Sequence, residues 1–466
     1  MTNQQNLWLR RWEAIDNNIS ILQDRYDAFN NEDSARREQT IFTLLRQLQK
    51  FGAGQFRFFH DGFYTKKFVE LEPIPDTPDF AQPEFITGYP IQNHILYNTL
   101  EQITEDAVVI QRASEQRFMS QLFQVFGLAR NAKFGNTLTS VDQLAYSALR
   151  MVGGYLHEPQ QTVLTYFRRS ANVRVIPYAP VAMVGIPITA TGLNFGIGVT
   201  EDLLAIPHEI AHHLYWNGRT GNDERIHTKL AELAANSPAR HWTEEIFADV
   251  VGCLIGGPAM ARSFIEMQLT TIGSEFLHHD QTHPTPSLRP LIHAYVLEKM
   301  GLNSLADVVR DQWNAHLIER MTFADRTLLY AAFDVVDQVL SIIPPDQLSS
   351  NLRWTNGDSG YDSLYTEFND RITNLSEAVS DNDLDPVGQN LDEDWLERVK
   401  TLADDDKVSN LNLPNEWPSN WDNAAALAQK SGTDPVTVDA ETWLQIYDLG
   451  GWITAGPKAG HGTGGG

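Results

Sequence analysis

The five residues His208-Glu209-Ile210-Ala211-His212 constrain this 466-residue chain more than any other stretch. On an α-helix, positions i and i+4 lie one turn apart on the same face, so a helix here lets both imidazoles close on a single metal ion. Glu209 stands one step round that helix from His208, where its carboxylate can reach a water at the ion without binding the ion itself. This is the spacing of metal-assisted hydrolysis.

A tetrahedral catalytic zinc site takes three protein ligands and leaves one position open, so a third ligand must come from elsewhere in the chain. The segment from His241 to Gly252 has helical periodicity, with Ile246, Phe247, Val250 and Val251 forming an apolar stripe and Glu245 and Asp249 four apart on another face. Glu245 is the candidate third ligand. Asp249, one turn on, is placed to accept from the far ring nitrogen of a ligand histidine, fixing its tautomer and raising its basicity. From Ile246 to Ala261 the stretch is otherwise almost uncharged, so a surface acidic pair explains Asp249 poorly.

HExxH followed by ExxxD resembles the gluzincin metallopeptidases, in which two histidines and a downstream glutamate hold zinc. Thr282-His283-Pro284-Thr285-Pro286-Ser287-Leu288-Arg289 is similar to the THPxxxxR element that follows the glutamate helix in M48-type peptidases. The three elements occur in the same order as in that group and span residues 200 to 300 or so. The resemblance implies one zinc ion on His208, His212 and Glu245, with Glu209 as general base and Asp249 behind the ligands. It also implies that His283 and Arg289 lie near the metal, within reach of the reacting carbonyl, the peptide backbone or the Glu245 carboxylate. The membrane helices common in M48 proteins have no counterpart in this sequence, so the resemblance extends to the catalytic core and not to a membrane substrate. The implied reaction is peptide hydrolysis, in which Glu209 takes the proton of the attacking water and delivers it to the leaving amine. Two alternatives stay open: a zinc hydrolase acting on a non-peptide acyl group, and a non-catalytic, metal-stabilised binding protein. Glu209 is a residue that a purely structural site does not need.

The approach to the motif is uncharged from Val175 to Thr200, yet Pro177, Pro180, Pro187 and its glycines rule out a membrane helix. Short β-strands are expected instead, with 181–188 in or at the edge of a small sheet where an extended peptide can add. Thr200 is the candidate N-cap of the ligand helix, with Glu201 and Asp202 in its first turn. Pro207 then requires a helix that starts late or one that kinks before the ligands. Asn217-Gly218 supplies the stop. His213 points about 100° away from the ligands on a helix and is expected to pack rather than bind. His157, His227, His241, His278, His279 and His293 flank the motif without a selecting spacing. One of them, or Tyr215, is a candidate oxyanion donor.

The net charge of −25 argues against a nucleic-acid partner and against anionic membrane surfaces. The lone Cys253 lies in an apolar helix and reads as a small core residue. Met1 to Gln5 lacks the basic-then-apolar pattern of a signal peptide, so the expected location is the cytoplasm, without membrane insertion. Protein or peptide substrates are the expected partners.

The expected fold is α+β and predominantly helical: a mainly helical N-terminal module over 1–151, a zincin-like catalytic domain with a small sheet over 152–345, an acidic region over 346–454 and a Gly-rich tail over 455–466. Apolar spacing predicts long helices over 6–51, β-like structure over 55–90, and helices again over 96–151 and 323–343. Residues 346–466 carry 22 Asp and Glu against 7 Lys and Arg, yet none of their acidic runs has full calcium-loop spacing. That region is expected to be a solvated acidic surface able to dock on the catalytic part and regulate it.

Overall fold

The computed structural model describes residues 3–27, 36–59, 100–116, 138, 141–142, 144–156, 162–168, 171–174, 176, 181–187, 203–269, 271, 276–277 and 283–347. The expectations for 60–90, Thr200, Glu201, Asp202, His157, His278, His279, the acidic region and the tail lie outside the described residues. Contacts divide the chain into two units, one including Met1–Glu115 and the other including Gln116–Arg174 and Ala182–Leu384.

In the first unit, α1 (Asn3–Asp27) and α2 (Arg36–Phe59) pack through the apolar faces their spacing predicts. Trp8, Trp12, Ile19, Leu22 and Tyr26 are buried from α1, and Ile41, Leu44, Leu45, Leu48 and Phe56 from α2. The expectation of β-like structure from residue 55 is wrong for 55–59, which continue α2. Phe56 falls one turn beyond Gly52 on the buried face and stacks on Trp12 at 5.5 Å, and that burial outweighs the aromatic strand propensity of the segment.

The second unit is helical around a small mixed sheet, so the chain is α+β and predominantly helical. Strands β1 (Thr162–Arg168), β2 (Asn172–Arg174) and β3 (Val181–Pro187) form the order β1-β3-β2. β1 and β3 are buried at nearly every position, which is why they read as continuous apolar runs rather than alternating ones. Among the described strands, β3 therefore lies inside the sheet and β2, antiparallel to it, is an outer strand.

The ligand helix α3 (Ala205–Asn217) packs most extensively on α5 (Thr243–Leu269), with the short α4 (Ile226–Leu233) between them in sequence. α3 starts late, with Pro207 in its first turn, so the proline costs no backbone hydrogen bond and the helix runs unbroken through the histidines. The helix ends at Gly218, where the backbone turns extended (φ −85°, ψ 156°), and only glycine fits because a Cβ there would meet Leu214 O at 2.5 Å and Ile226 Cδ1 at 2.6 Å. α5 breaks at Gly257 (φ 56°) before Pro258, where the missing N–H and the left-handed glycine interrupt the helix. Arg240–Leu269 is apolar and long enough to cross a membrane, but 78% of its apolar window is buried inside the protein, as in a core helix.

Helices α6 (Arg289–Lys299), α7 (Asn303–Glu319) and α8 (Arg326–Ile342) complete the packing around α5. Asp325 caps α8 by accepting from the N–H groups of Thr327 and Leu328. The fully buried Trp313 donates from its indole N–H to Ser287 O at 2.7 Å, pinning the segment that carries His283 and Arg289 against the core.

Candidate metal centre

α3 and α5 approach closely beside His208, and glycine makes that approach feasible. A Cβ on Gly252 would lie 3.3 Å from both the Cα and the backbone N of His208. The two helices thus bring Glu245 under the histidine pair.

The Nε2 atoms of His208 and His212 face each other at 3.2 Å. Glu245 Oε2 lies 3.6 Å from His208 Nε2, and Oε1 lies 3.6 Å from His212 Nε2. The two Glu245 distances are to different carboxylate oxygens; taking one ligand atom from each residue, all three lie within 4.8 Å of one another. They form a buried His/Glu group able to hold a metal.

A carboxylate stands behind each imidazole. Asp249 Oδ1 stands 3.2 Å from His208 Nδ1, and Glu244 Oε1 stands 2.9 Å from His212 Nδ1. The Glu244 contact is a hydrogen bond that fixes the His212 tautomer and leaves its Nε2 able to face a metal, whereas His208 Nδ1 makes no aligned hydrogen bond and Asp249 stands beside it as a charge. Glu244 also accepts from the Trp216 indole N–H at 2.8 Å, which locks its own rotamer. Asp249, like Glu245, is buried in α5. Arg289 donates to it through Nε at 2.9 Å and Nη2 at 2.6 Å, and through Nη2 to Glu245 Oε2 at 3.2 Å.

Of the contacts expected for Arg289, the one present is that with the Glu245 carboxylate. The guanidinium is buried at the start of α6, 4.7 Å over the Phe264 ring. His283 Nε2 lies 3.2 Å from Glu245 Oε1, and its side chain is 29% exposed, the most open group of the cluster.

The electrostatics favour a cation. Glu209, Glu245 and Asp249 are three buried carboxylates around the buried Arg289 guanidinium, with Glu244 beside them, so the cluster favours added positive charge, as a proton or as a metal ion. Without an ion the site recruits protons. Burial opposes charge on His212, yet Glu245, Glu244 and Glu209 together raise its pKa to about 9. Burial likewise opposes charge on Glu245, but His212, His283, Arg289 and His208 hold it well below the usual carboxylate range. For Glu209 burial prevails and raises the pKa, although His212, His208 and the N–H of Val173 on β2 pull the other way. A carboxylate made more basic by its surroundings is suited to proton transfer.

The remaining histidines sort by their surroundings. His213 is buried on another face of α3, where burial lowers its pKa to about 4 and Asn217 Nδ2 lies 3.4 Å from its Nδ1. His227 packs against Trp216 and Tyr215, and the exposed His241 meets Arg240 Nε at 3.1 Å. Tyr215, a candidate oxyanion donor, is buried with its hydroxyl 3.4 Å from Thr243 Oγ1. His293 is fully buried beside Asp249. Sequence reading passed over Glu244, Trp216 and Gly252. The available signal was spacing: Trp216 lies one turn after His212, and Glu244 precedes the ligand Glu245.

No family model matches the chain, and no curated protein or solved structure matches it.

Proposed function

We propose that the chain is a zinc-dependent metallopeptidase with a zincin-like core of the gluzincin kind. The observation that carries this reading is the convergence of one ligand atom each from His208, His212 and Glu245 within 4.8 Å of one another, with Glu209 buried beside them and a carboxylate behind each histidine. Zinc held there supplies Lewis acidity, polarising a scissile carbonyl and acidifying water.

The chain supplies the rest. Glu209, kept basic by burial and aimed by the Val173 N–H, takes a proton from water and delivers it to the leaving amine. Arg289 keeps Glu245 and Asp249 charged and fixed. His283 is the partly exposed donor closest to the ligands and is placed to bind the carbonyl oxygen of a substrate. A peptide is favoured over another acyl group by the resemblance of the HExxH, ExxxD and THPxxxxR elements to those of gluzincin peptidases.

The test is hydrolysis of an unstructured peptide library by zinc-loaded wild type and by Glu209→Gln. Wild type is expected to cleave, and the variant to retain zinc while losing ~10²–10⁴-fold in turnover. A Glu209→Gln protein with full activity removes the assigned role. A zinc-loaded wild type that cleaves no peptide but hydrolyses simple esters moves the substrate to another acyl class.

A further inference from the structure

His293 occupies a position in α6 where an imidazole is costly. It is fully buried, and its neighbours Leu291, Ile292, Ala294, Val296 and Leu297 are buried apolar residues. Neither ring nitrogen makes a close hydrogen bond, whereas a leucine in the same place would carry no polar group to desolvate. What the ring does face is specific. Its Nε2 lies 3.6 Å from Asp249 Oδ1, the same oxygen that receives Arg289 Nη2 at 2.6 Å and stands 3.2 Å from His208 Nδ1. The opposite constraint is Phe264, whose ring centroid lies 4.3 Å from that of His293 and 5.9 Å from that of His208.

Resting on the metal centre proposed above, we infer that His293 is a positioning residue for it, a buried imidazole clamped between Phe264 and Asp249 that holds the Asp249 carboxylate in register with His208. Two histidines thus flank one carboxylate oxygen, one a ligand and one a support. Burial lowers the pKa of His293 despite Asp249, and the ring meets the carboxylate oxygen at 3.6 Å as a packed polar contact longer than a hydrogen bond, without adding charge to the cluster. Arg289, one turn earlier on α6, fixes both carboxylate oxygens, and His293 limits rotation of the oxygen that faces His208.

The experiment is zinc titration against a chromophoric chelator, with the cobalt(II) absorption spectrum as a second readout of ligand geometry. The wild type is compared with His293→Leu, which removes the polar contact, and His293→Gln, which keeps an N–H at similar reach. His293→Leu is expected to weaken zinc binding about 10–100-fold and to shift the cobalt bands, while His293→Gln restores most of the affinity. The metal-free His293→Leu protein is expected to melt no lower than the wild type, because a leucine replaces an unsatisfied polar group. If leucine prevents folding, His293→Phe against Phe264 replaces it in the same comparison. Wild-type zinc affinity and an unchanged cobalt spectrum in the variant without the contact overturn the role, as does a lower melting temperature with unaltered metal binding. A wild type that takes up no zinc instead overturns the metal centre itself, and this role with it.

Discussion

Arg289 grips Asp249 through two charge-assisted hydrogen bonds, at 2.9 Å to Oδ2 and 2.6 Å to Oδ1. Both groups are buried, so neither can fall back on water if the other is lost. The pair joins the start of α6 to the second turn of α5 and fixes the carboxylate that stands beside His208.

Removing one half of this pair leaves an uncompensated buried charge. Arg289→Met is expected to destabilise the fold by about 3–5 kcal/mol. Denaturant unfolding of the metal-free protein measures it, and a loss below about 1 kcal/mol, the scale of exposed ion pairs, would contradict the buried bidentate geometry.

Glu244 is the support of the second ligand. Glu244→Ala frees the His212 ring to turn, so zinc affinity should fall about 10–100-fold. A chelator competition that returned wild-type affinity would show that His212 needs no carboxylate behind it.

Gly252 sets the distance between the ligand helix and the glutamate helix. In Gly252→Val, the added carbons press on the His208 backbone and force α3 and α5 apart. Both stability and metal affinity should drop, the latter because His208 and Glu245 separate. Thermal melts with and without zinc report the two effects, and a variant that is destabilised but binds zinc normally would show that the helices yield away from the site.

Much of the centre was legible because its spacing is local. The pairs His208/His212 and Glu245/Asp249 are each one helical turn apart, and the uncharged surroundings of Asp249 mark it as a charge needing a buried partner. Pro207 posed a choice that its place in the first turn resolves. Glu244 and His293 were not legible as supports. Which residue of α5 meets His212, and which of α6 meets Asp249, depends on how separate helices are rotated against each other, and no local spacing encodes that. The place of β2 in the sheet order follows from tertiary packing in the same way, whereas the break at Gly257-Pro258 is local chemistry that the sequence carries. Residues 55–59 misled because aromatic strand propensity yielded to burial of Phe56.

His227 provides a test of pH dependence away from the ligands. Burial, reinforced by Arg225 and Arg219, lowers its pKa from 6.5 to about 3. The folded state therefore resists protonation that the unfolded chain accepts. The associated stability is present above pH 6.5 and is lost as the pH falls from 6.5 toward 3, by on the order of a few kcal/mol. In chelator-treated protein, His227→Phe should give a shallower acid limb of stability against pH, and superimposable limbs for wild type and variant would refute the assignment.

The most direct measurement is the metal content per chain of the purified protein by elemental analysis, alongside His212→Ala and Glu245→Ala. The account predicts one zinc in the wild type, lost from both variants, because each removes one of three converging ligands. No zinc in the wild type, or zinc retained by Glu245→Ala, would contradict the centre formed by His208, His212 and Glu245.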